Sequence, residues 1–337
     1  MNYLILAAGI GSRLNNQKYY LKINGYTLLE HVYKKIDPSN NIFVVYKDEK
    51  VREIHNHLNV KWLKNESLDV DKDISIRIGL NEINDKCILL LADMPNYSKE
   101  NFKKLSGNQS IFSYNNKVNL PPVYIVDLDV KKYLSANKTL KQSIDKYTQI
   151  EYDNNELKDI DTMEDVVEVR KNIVVLSDGN LASNTINLLV KNGFNVHILE
   201  LDKDSIDKKS NSYSKAMSNK VKETDDVVCI KTDNFDEYYN AKLNSYATIS
   251  NQEVFNNLDL KIDCLIDITL NNKNVSYLNE NYLSIGVGPG FIAKKDVNYV
   301  IENPQEESIE NNIIDINKFS DKSLKIGSSI LKICKEL

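Results

Sequence analysis

Apolar and polar positions along this chain fall into short blocks that switch between two periods. Tyr3–Ala7, Ile42–Tyr46 and Val60–Leu63 are brief apolar runs, and each predicts a buried strand. Cys87–Ala92 is apolar throughout, the mark of a strand covered on both faces. Between these runs Lys50–Leu58 and Ile74–Ile83 repeat at helical spacing, and an amphipathic segment starts near Leu28. Such alternation predicts a parallel sheet with helices on both sides. Ligands of such sheets sit beyond the carboxyl ends of the strands. Gly9 and Gly11 follow the first run directly, Asp93 follows Cys87–Ala92, and both places are strand ends of that kind.

The pattern restarts near Asn172. It reads as a strand, a turn at Gly179, a helix stopped by Gly193, and a second strand ending at Glu200. This is a βαβ unit with an acid where nucleotide-binding Rossmann folds carry one. Gly179 stands alone in its turn, where a dinucleotide binder needs two or three glycines. The unit can therefore be a plain packing element.

Composition narrows the options. At 337 residues, 42% apolar and 27% charged, the chain can bury two sizeable cores, and the expected domains are 1–171 and 172–337. A net charge of −5 argues against a general nucleic-acid binder, which presents a basic face. The first strand begins at once, leaving no room for a secretion signal, and no apolar run approaches the roughly 18 residues that span a bilayer. The expectation is a cytoplasmic protein without a membrane partner. The four cysteines (Cys87, Cys229, Cys264, Cys334) lie far apart with no CxxC and read as free buried thiols. His55 and His57 are two apart, so a helix would point them in different directions; they read as surface residues rather than metal ligands.

The chemistry concentrates in three places. Glycines at a strand end let backbone amides approach an anion, Arg13 offers a planar donor fork, and Lys18 adds a mobile point charge. The loop reads as a triphosphate cradle, although a G-x-G after a strand also serves as a plain tight turn. It is neither a P-loop nor a dinucleotide fingerprint, because no Gly-Lys-Ser/Thr follows and Leu14 stands where the third glycine would be. Asp93, in L-L-L-A-D-M-P, can anchor magnesium, which takes one or two protein carboxylates together with phosphate oxygens and water. It can also simply start a turn ahead of Pro95. Thr162 and Asp165 form a capping-box pattern that starts a helix at Met163. Asp159 and Asp161 precede it and share one face of an extended segment, either as metal ligands or as acids serving the helix end.

The string L-A-A-G-x-G-S-R-x-x-x-x-K at 6–18 resembles the signature of nucleotidyltransferases with a glycosyltransferase-A-like fold, most of all the enzymes that attach a nucleotide to molybdopterin. Gly25 and Leu28-Leu29-Glu30-His31 extend the match, as do L-x-D-M-P at Asp93 and D-I-D-T-M-E-D at 159–165. The resemblance implies a three-layer α/β sandwich for residues 1–171. It implies nucleotide binding by Leu6, Ala7, Ala8, Gly9, Gly11, Ser12, Arg13, Lys18 and Ser75. It also implies catalysis by Arg13, Lys18 and Asp93, with Mg2+ on Asp93 and on Asp159 or Asp161. L-A-A-G is the form associated with CTP, whereas GTP users carry L-A-G-G. Three positions depart from the family pattern. Asn15 replaces a glycine, charged residues replace the glycine expected ahead of Ser75 and Arg77, and Pro121 replaces a polar residue ahead of Pro122 and Val123. These departures bear on the acceptor more than on the phosphate apparatus.

Residues 286–302, I-G-x-G-P-G-F-x-A…D-V…V-I-E, resemble the accessory proteins of selenium-dependent molybdenum hydroxylases, which are related to xanthine dehydrogenase accessory proteins. The implied second domain is Rossmann-like and shortened, with a ligand loop of Gly286, Gly288, Pro289 and Gly290 forming a strained turn. Its usual Gly-Gly-Gly-Asp turn is Ser177-Asp178-Gly179-Asn180 here, and the Asn-Arg-Gly-His stretch is replaced by 302–312. Together the resemblances imply a molybdenum cofactor cytidylyltransferase, with CTP as donor and molybdopterin as acceptor. The second half would handle the cofactor, with an apo molybdenum hydroxylase as partner. Two other readings stay open: a cytidylyltransferase for a sugar or alcohol phosphate, and a non-catalytic chaperone for the cofactor.

Overall fold

A computed structural model describes residues 1–68, 71–105, 107, 109–115, 118–126, 128–136, 138–152, 155–177, 180–200, 212–269, 276–288, 290–302, 313–315 and 322–337. The chain divides into two compact units. The first holds Met1–Leu21 and Thr27–Asp165, the second Lys22–Tyr26 and Val166–Leu337.

The first half of the chain runs β1 (Asn2–Ala7), a short hairpin β2 (Lys22–Ile23) and β3 (Tyr26–Thr27), α1 (Leu28–Tyr33), β4 (Asn41–Tyr46), α2 (Glu49–Ile54) and β5 (Lys61–Lys64). It continues with α3 (Lys72–Ile83), β6 (Cys87–Leu91), α4 (Lys99–Phe102), β7 (Ser110–Asn115) and β8 (Val118–Ile125). Then come α5 (Val130–Ser135), α6 (Leu140–Ser143), β9 (Tyr147–Glu151) and α7 (Met163–Val169). The large sheet has the order β5-β4-β1-β6-β8-β7-β9. β5, β4, β1 and β6 are mutually parallel, while β8 runs against both β6 and β7.

Alternate residues of β1 serve opposite faces, as strand geometry requires. Tyr3, Ile5 and Ala7 join a core with Leu29 of α1, Val51 of α2 and Phe102 of α4. Leu4 and Leu6 join another with Ile76 and Leu80 of α3 and Tyr133 of α5. Both faces are thus covered, which makes the unit a three-layer α/β sandwich and explains why β6 is apolar at every position. A fully buried leucine of this kind is worth about 2 kcal/mol relative to an exposed one. Thr27 starts α1 through a capping box. Its hydroxyl accepts from the Glu30 amide at 3.3 Å, and its own amide donates to Glu30 Oε2 at 2.7 Å.

The second half runs β10 (Asn172–Ser177), α8 (Asn180–Lys191), β11 (Asn195–Glu200), α9 (Ala216–Asn219), β12 (Val221–Thr224), β13 (Val227–Lys231) and α10 (Phe235–Leu243). It ends with β14 (Ala247–Asn251), α11 (Gln252–Asn257), β15 (Cys264–Asp267), β16 (Leu283–Val287), β17 (Tyr299–Glu302), β18 (Ile313–Asp315) and α12 (Lys322–Cys334). The sheet order is β12-β13-β14-β11-β10-β15-β16-β17-β18, parallel except for β12. β10 sits at the centre, where the strand order reverses, so this is a Rossmann-like α/β unit. Gly193 ends α8 in the left-handed region at φ +77°. The β2–β3 hairpin belongs to this unit. Asn24 and Gly25 both have positive φ (+50° and +89°), the signature of a two-residue hairpin turn, and the Gly25 amide donates to the Asn192 carbonyl at 2.7 Å.

All four cysteines are free and buried, as expected. His55 corrects the sequence reading. α2 stops at Ile54 rather than Leu58, and His55 caps its end, with no exposed surface. Its Nε2 lies 2.7 Å from Thr27 Oγ1 and its Nδ1 2.6 Å from the Val51 carbonyl. Those two partners hold the ring inside, and burial lowers its pKa. His57 alone is exposed, beside Glu30 at 3.1 Å. Among the described residues no helix is long and apolar enough to cross a membrane.

Candidate active site

β1 ends at Ala7, with Leu6, Ala7 and Ala8 buried and Gly9 and Ser12 exposed. The chain turns back through Gly11, whose carbonyl accepts from the amides of Leu14 (2.9 Å) and Asn16 (3.1 Å). Gly11 has φ +63°, and a Cβ there would stand 2.5 Å from Cβ of Lys18. Only glycine meets both demands. Asn15, the residue in place of the family's glycine, adopts φ +50°, a left-handed conformation that asparagine tolerates. The substitution preserves the turn. Tyr19 is buried, with its hydroxyl hydrogen-bonded to the Gly9 backbone.

This turn delivers Lys18 to the carboxyl end of the sheet. Asp93 follows β6, and its carbonyl accepts from the Ile160 amide at 3.0 Å, which draws the 159–161 segment alongside. Lys18 Nζ lies 2.6 Å from Asp93 Oδ2 and 2.6 Å from Asp161 Oδ1. Arg13 reaches Asp161 Oδ2 at 3.5 Å and leaves 71% of its side-chain surface exposed. The cap of α7 is made by other groups: Asp165 Oδ2 accepts the amides of Asp161 (3.1 Å) and Thr162 (2.9 Å), and Thr162 Oγ1 accepts the Asp165 amide at 3.3 Å. Asp159 and Asp161 are therefore not needed to start the helix.

Electrostatics follow from this packing. Burial opposes charge on Lys18, but Asp93 and Asp161 outweigh it and hold the lysine above its ordinary pKa. Asp159 is pushed up to about 6, first by burial and then by the Asp93 charge. Asp93 Oδ1 and Asp159 Oδ1 are buried without a hydrogen-bond partner. Unmatched buried carboxylate oxygens invite a cation or a proton. An all-oxygen donor set suits magnesium, and one or two carboxylates suffice when phosphate and water complete the shell. Among the described residues no group of three or more His, Cys, Asp or Glu side chains is arranged to hold a metal ion by itself.

A cavity of about 280 Å³ opens beside the loop, lined by Gly9, Ile10, Asn16, Tyr20, Lys47 and Asp48 among others. Tyr20 hydrogen-bonds Asp48 across it, and Lys50 lies 4.6 Å from the centre of the Tyr20 ring. The sequence reading missed this wall, although Lys47 and Asp48 follow β4 directly, at the same edge of the sheet. Ser75 is buried within α3, and its hydroxyl accepts from Asn65 at 3.0 Å. Arg77 donates to the carbonyls of Tyr133 (2.5 Å), Leu134 (3.2 Å) and Lys138 (2.7 Å), clamping the end of α5. Pro121 and Pro122 fall inside β8, where pairing jumps from Phe112↔Val123 to Ser113↔Leu120; the pair is looped out of the ladder.

In the second unit Gly288 and Gly290 have φ +104° and +108°. Gly286 instead lies in β16, and a Cβ there would come 2.5 Å from the Phe291 ring, so packing alone accounts for it. Pro289, the Asp178-Gly179 turn and residues 303–312 lie outside the described residues. Glu200 is buried and accepts from Ser214 Oγ at 2.8 Å.

Residues 3–138 match the family model of the MobA-like NTP transferase domain, so the first unit carries a domain of the class that moves nucleotides. Among solved structures, the chain is similar to molybdopterin-guanine dinucleotide biosynthesis protein A from Archaeoglobus fulgidus (19% identity, TM-score 0.38, covering 49% of this chain and 94% of that one). A second is CMP:2-keto-3-deoxy-manno-octonic acid synthetase complexed with CTP (13% identity, TM-score 0.39, 50% and 96%). A third is 4-diphosphocytidyl-2C-methyl-D-erythritol synthase from Anaerococcus prevotii (18% identity, TM-score 0.39, 50% and 93%). No curated protein matches the chain.

Proposed function

We propose that the first unit transfers the cytidylyl group of CTP to the terminal phosphate of molybdopterin and releases pyrophosphate. The observation that carries this reading is the Lys18–Asp93–Asp161 constellation, at 2.6 Å on each side, beneath the Gly11 turn. A triphosphate laid on that turn meets loop amides, the exposed Arg13 guanidinium and the charged Lys18. These groups lower the cost of the negative charge that builds on the α-phosphate and the leaving pyrophosphate. The acceptor oxygen forms its bond to the α-phosphorus as the bond to pyrophosphate breaks. A phosphate monoester is already ionised, so no side chain has to remove a proton. Asp93, with Asp159 or Asp161, would hold Mg2+, which supplies Lewis-acid charge neutralisation at the phosphates.

The choice of cytidine rests on Leu6-Ala7-Ala8-Gly9, and the choice of acceptor on the family resemblance. The second unit is assigned the handling of the finished cofactor and its delivery to an apo molybdenum hydroxylase, on the 286–302 motif. The protein is incubated with Mg2+, CTP and molybdopterin, and pyrophosphate is measured. Release with CTP and not with GTP is expected. Release with a sugar phosphate in place of molybdopterin would move the assignment to another acceptor, and no release with any acceptor would leave a binding protein.

A further inference from the structure

We infer that Lys18 is a tethered stand-in for the divalent cation: in the nucleotide-free protein its ammonium group holds Asp93 and Asp161 together, and a metal at low concentration takes that place only when a triphosphate draws the lysine away. This rests on the cytidylyl-transfer reading and adds an order to it. The ammonium group sits 2.6 Å from one oxygen of each carboxylate, with only 8% of the side chain exposed. That is where an ion shared by the two acids would compete with it. The substitution is incomplete: Lys18 reaches one oxygen of Asp93 and one of Asp161, and Asp93 Oδ1 and Asp159 Oδ1 stay buried without partners. A dication in place of the ammonium group would remove that shortfall, but it must first displace a buried lysine.

Lys18 is also tied to the loop. Its stem packs so closely on Gly11 that a Cβ there would lie 2.5 Å from it, and the same short turn carries Arg13. Movement of Lys18 toward a phosphate and rearrangement of the cradle are therefore one event. Metal and nucleotide should then bind with positive coupling, and by linkage each strengthens the other. Without nucleotide, the lysine keeps the acids satisfied and the metal affinity low.

The test uses the full chain and Mn2+, followed by electron paramagnetic resonance. Lys18→Met, of similar length and uncharged, is expected to bind Mn2+ without nucleotide about tenfold tighter than the wild type, within the usual range of such couplings. A melting curve checks that the variant folds. An independent measurement needs no variant: millimolar Mn2+ alone should raise acetylation of Lys18 by acetic anhydride severalfold, read by mass spectrometry, with buried Lys242 unchanged. The inference is overturned if Lys18→Met binds Mn2+ no tighter and Lys18 acetylation is indifferent to Mn2+, while MnCTP still gives a protein-bound signal in the wild type. If MnCTP gives no bound signal at all, the cytidylyl-transfer reading falls first and takes this one with it.

Discussion

Lys18 in the first unit and Lys242 in the second are both buried lysines, and they differ in what surrounds the ammonium group. Lys18 faces two carboxylates and is held above its ordinary pKa. Lys242 donates to the carbonyls of Val196 (2.5 Å) and Tyr246 (3.2 Å) and lies 5.0 Å from the centre of the Tyr238 ring. Burial, with Arg170 nearby, lowers it to about 7. The acids show the same contrast. Asp267 ends β15, and the hydroxyl and amide of Thr269 answer its Oδ1 at 2.7 and 2.9 Å. Asp93 and Asp159 keep buried oxygens without a partner. A charge at the carboxyl edge of a parallel sheet is therefore not in itself a site. The distinguishing mark is burial combined with a deficit that a ligand could fill.

The largest expected effect comes from Asp93→Asn, which should cut pyrophosphate release about 10³-fold, in the range for loss of one electrostatic contact at a reacting phosphate. Asp267→Asn in the second unit should leave the rate unchanged, and equal losses from both would erase the contrast.

Next is the pH dependence of the second unit. Lys242 has its folded pKa below its unfolded one, so the unfolded chain binds the extra proton between about 7 and 10.5. Stability should rise with pH across that window by about 1.4 kcal/mol per unit at most, and is absent below it. Denaturant melts at pH 7 and 9 should show a slope that Lys242→Met flattens.

Asp159 behaves oppositely. Its folded pKa of about 6 lies above the ordinary 3.8, so its contribution is full below pH 4 and is lost as pH rises through 6. Asp159→Asn should remove a loss of about 3 kcal/mol from the first unit, seen in melts across that range. Smallest is Gly11→Ala, expected to cost about 1–2 kcal/mol through its left-handed backbone and its contact with Lys18. Thermal melts and CTP titration should both register it.

Much of the first unit was legible beforehand because its signals are local. The strands at Tyr3–Ala7, Ile42–Tyr46 and Cys87–Ala92 and the Thr162–Asp165 capping box each depend on residues a few positions apart. What was missed depends on distant partners. His55 reads as a surface residue until Thr27, 28 positions earlier, is placed against its ring. Tyr20 gains its meaning from Asp48, and Gly286 from Phe291 folding over it.

The sequence by itself determined the order of strands and helices, the glycine turn and the presence of arginine, lysine and aspartates at sheet ends, because periodicity and turn chemistry are written in neighbouring residues. Only the tertiary structure decided which of those charges meet. Lys18, Asp93 and Asp161 are far apart along the chain and come within 2.6 Å through the parallel pairing of β1 with β6 and the Ile160–Asp93 backbone bond. Whether a buried charge is answered or left wanting depends on contacts across the fold, and that balance separates Lys18 from Lys242.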